Sequence, residues 1–219
     1  MKNVKRLLVN PFSILLYLGE IAGIFPLFMY EKGEIVLWIN QRFAENNYDL
    51  FYTRFTELGS GMSFVVLALL YLLFNTRKAY QVVITSILVL VVSQGLKHAF
   101  GYPRPTAYIP KDAFCHLIEG FEYAKNFSFP SGHTMAAFAV FTLIAHYTYS
   151  ISIKVLGFFT AATIGFSRMY LLQHFYMDVY VGAFLGFGCA LLAIAFFSDA
   201  KYIPLRGLFR RKEIAWQIN

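Results

Sequence analysis

Apolar and polar positions alternate in blocks along this chain. Six apolar runs cover residues 12–30, 61–75, 79–97, 133–149, 155–172 and 178–197. Each approaches the roughly 20 apolar residues a helix needs to cross a bilayer, although the second and fourth are short or polar at their ends. The pattern predicts an all-α polytopic membrane protein, a bundle of six transmembrane helices. The first run is too long and starts too late for a cleaved signal. The PLFMYEKGE at its end shows no small-residue cleavage pattern, so a retained helix is expected.

The connections differ in kind. In GEIVLWINQRFAENNYDLF, Ile35, Ile39 and Phe43 recur every four residues beside Trp38. This predicts an external amphipathic helix lying in the membrane interface, a connector anchored by its aromatics. NTRKAY reads as a tight cytoplasmic turn. GYPRPTAYIPKDAF carries three prolines and reads as an ordered external loop. No repeat, low-complexity tract or Gly/Ser linker interrupts the chain, so residues 1–219 read as one transmembrane domain ending in a basic cytoplasmic tail, 198–219.

Composition agrees with lipid as the solvent. Of 219 residues, 58% are hydrophobic and only 14% charged, against about 25% charged in soluble domains. The net charge of +7 raises the question of nucleic acid, and its distribution answers it. Lys2, Lys5, Arg6, Arg77, Lys78, Lys154, Lys201, Arg206, Arg210, Arg211 and Lys212 all fall on one side of a six-span layout. Glu31, Glu34, Glu45, Asp49, Glu57, Asp112, Glu119 and Glu122 fall on the other. Basic residues favour the cytoplasmic side. Both termini are therefore expected in the cytoplasm, with connections 31–60 and 98–132 outside. The basic tail serves as an orientation signal with some attraction to anionic lipid, not as a nucleic-acid site. Cys115 lies in a loop and Cys189 in the sixth run, so no disulfide framework is expected.

Three polar clusters crowd the outer ends of the runs, where charge asks for a reason. Lys97 ends the third run, and Arg104 follows between Pro103 and Pro105, which fix its backbone. Pro130-Ser131-Gly132-His133 opens the fourth. The free N–H groups and dipole of a helix start attract an anion there, and glycine permits close approach. Ser167-Arg168 closes the fifth run, with His174 and Asp178 beyond it. Those two are four apart and share a helix face, so the carboxylate can hold one imidazole nitrogen and leave the other free to attack. Taken alone, the first reads ordinarily as a pair of interfacial anchors, the second equally as a helix cap with a surface histidine, and the third as a structural ion pair common at helix ends. Together they offer three cations, an anion nest and two imidazoles at one membrane face, a set suited to a phosphate dianion without a metal.

These clusters resemble the signature of the type 2 phosphatidic acid phosphatase family, the PAP2 or lipid phosphate phosphatase superfamily: K-x6-R-P, then P-S-G-H, then S-R-x5-H-x3-D. The chain reads KHAFGYPRP, PSGH and SRMYLLQHFYMD, without departure at any defined position over residues 97–178. The resemblance implies a six-helix membrane bundle with its active site at the outer surface, where a lipid phosphate or diphosphate is hydrolysed. It implies His174 as the nucleophile that forms a phosphohistidine, Asp178 as its orienting acid and His133 as the general acid. Lys97, Arg104 and Arg168 would hold phosphate oxygens, helped by Ser131 and the backbone at Gly132. The expected partners are a phosphorylated lipid and the surrounding membrane lipids, with no nucleic acid, metal, cofactor or obligate protein partner. Undecaprenyl diphosphate, phosphatidylglycerol phosphate, phosphatidic acid and a lipid A phosphate all fit, and a bacterial cytoplasmic membrane is the expected setting.

Two other readings use the same residues. A phosphohistidine could pass its group to a second lipid, making a phosphotransferase. A non-catalytic head-group binder would need the cations but not an oriented nucleophile, so the His174–Asp178 pair speaks against it. Several residues are set aside. His98 points away from Lys97 in a helix, His116 has no spacing partner, and His146 lies near the cytoplasmic end of its run. Glu20 is an intramembrane acid with no evident partner. Asn126-Phe127-Ser128 matches a glycosylation acceptor but abuts the proposed site, so it reads as chance.

Overall fold

A computed structural model describes residues 2–43 and 48–198. The described chain forms ten α-helices: α1 (Lys2–Leu8), α2 (Pro11–Met29), α3 (Glu34–Phe43), α4 (Asp49–Phe55), α5 (Gly61–Phe74), α6 (Thr76–Phe100), α7 (Pro105–Tyr108), α8 (Gly132–Tyr147), α9 (Ile151–Tyr170) and α10 (Tyr176–Ser198). Short 3-10 turns at Thr56–Gly59 and Lys111–Ala113 join them, and no strand occurs among the described residues. The expected basic tail, apart from Ser198, and Glu45 lie outside the described residues.

The six apolar runs fall on α2, α5, α6, α8, α9 and α10. Local chemistry sets their ends. Asn10 caps α2 by accepting from Ser13 N, with Pro11 in the first turn, and Asn75 caps α6 by accepting from Lys78 N. Ser150 caps α9 by accepting from Ile153 N. These short polar side chains satisfy helix N–H groups that have no partner inside the helix. Gly101 stops α6 at φ 59, a left-handed position that glycine occupies without cost.

Length and composition qualify three segments to cross a membrane: Pro11–Met29, Thr76–Tyr108 and Tyr176–Phe196. A fourth qualifies if Asp49–Gly59 and Gly61–Phe74, bent by 53°, count together. A helix stands at each of the six runs, but length and apolarity alone do not qualify all six as membrane crossings. The reason is visible in α8. Its 16 residues rise only roughly 24 Å, short of the roughly 30 Å hydrocarbon layer. Most of its surface touches protein, so it needs no uniformly apolar face.

α8 is the hub, packing against α5, α6, α9, α10 and the Thr56–Gly59 turn. Between apolar helices in lipid, close packing replaces the hydrophobic effect as the adhesive force, and small residues permit it. Met135, Ala136, Ala139 and Leu143 pack with Cys189, Ala190 and Ile194, while Ala137, Phe138 and Ala145 pack with Phe12, Leu16 and Ile164. Gly186 lies directly against the Met135 carbonyl.

A cap covers the bundle at the end that carries the three polar motifs. Val36 and Ile39 of α3 pack with Ile109, Tyr170, Leu171, Leu172 and Phe175. The predicted interfacial helix thus covers the C-terminal end of α9, with Trp38 facing out at 61% exposure. Polar ties reinforce it. Asn40 Nδ2 donates to the His116 carbonyl at 2.6 Å, and Asn40 Oδ1 accepts from Cys115 N and His116 N. His116, which lacks a partner by spacing, finds one in space: its Nε2 lies 3.0 Å from Asp49 Oδ2, and Tyr170 donates to Asp49 Oδ1 at 2.6 Å. The Lys32 ammonium lies over Tyr108 and Phe175 at 4.7 Å and over Tyr102 at 5.1 Å. It thereby pins the α2–α3 connection to the Pro-rich loop.

Candidate active site

Five chain segments meet beneath this cap. One of them is the turn 171–175 between α9 and α10. Gln173 N and His174 N both donate to the Arg168 carbonyl, at 2.9 and 3.1 Å, and Leu172 takes a positive φ of 54 to make the turn. His174 is 1% exposed, Asp178 4% and Arg168 7%.

His174 Nδ1 lies 3.6 Å from Asp178 Oδ2, just beyond hydrogen-bond length. The same Oδ2 accepts from Ser128 Oγ and from Phe175 N, and His174 Nδ1 has no hydrogen-bond partner. The expected imidazole–carboxylate pair is therefore adjacent but open. Asp178 is steadied by a serine and a backbone N–H, with the ring poised beside it. Burial lowers the His174 pKa from 6.5 to about 4; Asp178 opposes the shift while Arg168 and Arg104 add to it. The imidazole is consequently neutral at physiological pH, with a lone pair available.

The cations converge from three elements. Arg168 Nη1 donates to Thr56 Oγ1 at 3.0 Å, which fixes its direction. Arg104 Nε donates to the Asn126 carbonyl at 2.9 Å, and its Nη1 donates to Gln173 Oε1 at 2.6 Å. Arg104 N donates to the Lys125 carbonyl and Ser128 N to that of Tyr102, so the Pro-rich loop is stitched to the segment that opens α8. Lys97 comes from the last turn of α6. A Cβ built on Gly132 would lie 3.7 Å from Lys97 Nζ and 3.4 Å from Ser93 Oγ, so the missing side chain at Gly132 leaves the ammonium and the start of α8 in contact range. His133, the next residue, lines the same cavity as Lys97 and Gly132.

Ser131 N donates to the Asp178 carbonyl at 3.0 Å, which ties the start of α8 to the start of α10. The Ser131 side chain faces inward, where its Oγ accepts from Thr134 N and Thr134 Oγ1. Its role here is a helix cap, while Gly132 and His133 face open space. That space is a cavity of about 570 Å³ lined by Lys97, Gly132 and His133 at one end. It continues between α5 and α6 along Phe64, Val65, Ala68, Val83, Val89 and Leu90.

Of the residues expected from sequence, Lys97, Arg104, Gly132, His133, Arg168, His174 and Asp178 gather in one region, and Ser131 supports it from beneath. Thr56, Ser128 and Gln173 were not anticipated. Ser128 stands two residues before Pro130, and Gln173 abuts His174, so proximity was the available signal. Thr56 lies 112 residues from Arg168 in the chain and carries none. His98 is turned away as expected, its Nδ1 near the Gln94 carbonyl and its ring against Phe127. Glu20 has a neighbour on α10, where Tyr180 donates to its backbone carbonyl at 3.0 Å. Among the described residues, no group of three or more His, Cys, Asp or Glu is arranged to hold a metal ion.

Comparison with known proteins places this geometry. A family model described as the PAP2 superfamily matches residues 78–202, which include every motif above. A probable lipid phosphate phosphatase 4 of Arabidopsis thaliana is 30% identical over 141 residues, 52% of this chain and 44% of its own length. The chain thus spans less than half of that relative. The crystal structure of Aquifex aeolicus LpxE superposes with a TM-score of 0.63 at 31% identity, covering 74% of this chain and 93% of LpxE. A transmembrane PAP2 type phosphatidylglycerolphosphate phosphatase from Bacillus subtilis shares the fold, with a TM-score of 0.58, 21% identity and coverage of 87% and 98%.

Proposed function

Since the chain belongs to the PAP2 superfamily, we propose that it is a membrane-integral lipid phosphatase hydrolysing a lipid phosphate or diphosphate through a phosphohistidine. One observation carries this reading: the cavity has the Lys97 ammonium and the His133 imidazole at one end and an apolar channel between two helices at the other. An anionic head with a long hydrocarbon tail matches both ends. A water-soluble phosphate would leave the apolar walls without a purpose.

The chemistry follows from the groups present. Lys97, Arg104 and Arg168 hold the phosphoryl oxygens, with the N–H groups at Gly132 aimed at the same anion. Asp178, steadied by Ser128, orients His174 through Nδ1. Nε2 then attacks phosphorus, a P–N bond forms, and the P–O bond to the lipid breaks. His133 gives its proton to the departing oxygen, and the dianion supplies the negative charge that lets it carry that proton among three cations. Water then loses a proton to His133 and attacks phosphorus. The P–N bond breaks, inorganic phosphate leaves, and His133 is reprotonated for the next cycle. No step calls for a metal ion, so turnover is expected to persist in EDTA.

The same reading makes residues 1–219 one six-pass domain in a bacterial cytoplasmic membrane, with both termini inside and the site outside. The charge distribution along the sequence supports it. The test is phosphate release by purified protein from phosphatidic acid, phosphatidylglycerol phosphate, undecaprenyl diphosphate and a lipid A phosphate. His174→Ala abolishes release and covalent labelling by substrate phosphate, and loss of any one cation slows turnover on the order of 10²–10³-fold. Full activity of His174→Ala, or an EDTA block relieved by divalent ions, would sink the mechanism.

A further inference from the structure

Gln173 is a buried amide, 4% exposed, whose acceptor is directed at a cation of the phosphate site. Its Oε1 accepts from Arg104 Nη1 at 2.6 Å, and its carbonyl accepts from the same nitrogen at 3.3 Å. Its Nε2 donates to the Glu122 carbonyl at 3.4 Å, which fixes the rotation of the amide. Arg104 Nε is held by the Asn126 carbonyl. A guanidinium is a rigid planar fork of five N–H donors. With Nε and Nη1 engaged by the protein, Nη2 is the part of the fork left for a ligand.

We propose that Gln173 is a positioning residue that locks Arg104 so that it meets the phosphate through Nη2, and that couples this cation to the nucleophile's turn. The proposal rests on the phosphate-site reading above. Gln173 and His174 are neighbours, and their N–H groups share the Arg168 carbonyl. One short turn therefore sets the spacing of the Arg104 fork, the Arg168 backbone and the His174 ring. The residue type matters as well. A neutral amide oxygen orients a guanidinium without cancelling its charge, whereas a carboxylate would pair with it and repel an incoming dianion.

The experiment uses the full chain in detergent with inorganic phosphate as the probe, its affinity read from the rise in melting temperature on titration. Gln173→Ala weakens phosphate about 10-fold, because a charge-assisted hydrogen bond that holds the fork is lost. Gln173→Glu weakens it further. In an Arg104→Ala background, Gln173→Ala costs less than about twofold more, since the two residues act as a unit. Gln173→Met, of similar volume but without an acceptor, behaves like the alanine variant and replaces it if that protein does not fold. Additive losses in the cycle, or wild-type phosphate affinity in Gln173→Glu, would overturn the proposal. These outcomes separate from the functional reading. Absence of turnover on every lipid defeats the phosphatase while the phosphate cycle can still hold, and turnover with additive losses defeats only the role of Gln173.

Discussion

His174, the nucleophile of the proposed mechanism, is a buried imidazole kept neutral mainly by burial. The sign of its pH dependence follows. A lowered pKa means that the ring stays unprotonated, and competent, until pH falls through about 4; below that it gains a proton and loses its lone pair. Turnover corrected for substrate ionisation is therefore expected to hold steady as pH falls past the ordinary imidazole value of 6.5, and to drop only on approaching about 4. The pH profile of kcat/KM checks this, and an acid limb near 6.5 would contradict it. Residue by residue, the motif letters were legible because each has a chemical type that phosphate demands. Their supports were not. Thr56, Ser128 and Gln173 are ordinary polar residues, and only distance reveals that they aim Arg168, Asp178 and Arg104.

Helices α8 and α10 meet along a seam of small residues, and this contact places Ser131 and Asp178 within one backbone hydrogen bond of each other. A Cβ at Gly186 would overlap the Met135 carbonyl oxygen, a backbone atom that cannot rotate away. Gly186→Ala is expected to destabilise the fold by about 1–3 kcal/mol, seen as a lower melting temperature in detergent. Gly188, two residues on, meets nothing within 4 Å. There the same substitution should hold or raise the melting temperature, by up to about 1 kcal/mol of helix propensity. Helices of this kind were legible as apolar runs because run length encodes them. The cap over the motif-bearing end was legible only in part. The four-residue period found α3, but that face serves to bury Val36 and Ile39 against α9 and the turn before α10, a contact that periodicity does not encode.

At the scale of the whole molecule, the cavity between α5 and α6 joins the charged site to a wall of lipid-type side chains. Ala68 lies on that wall. Ala68→Phe is expected to raise KM severalfold for long-chain lipid phosphates while leaving a short-chain, water-soluble phosphate monoester unaffected. Equal effects on both, in assays at matched detergent, would argue that the channel holds no tail. By itself the sequence determined the lipid solvent, the helical class and the places of six long helices, and it singled out the residues proposed to hold and attack a phosphate. Those follow from composition, run length and residue type, which are local properties of the chain. Tertiary structure alone decided that α8 is buried rather than lipid-facing, that His116 pairs with Asp49, and that Asp178 is occupied by Ser128 and a backbone N–H beside an open His174. It also decided that an apolar channel leads from Lys97 and His133. Each of these depends on segments far apart in the chain meeting at ångström range, and spacing along a single strand of letters carries no record of that meeting.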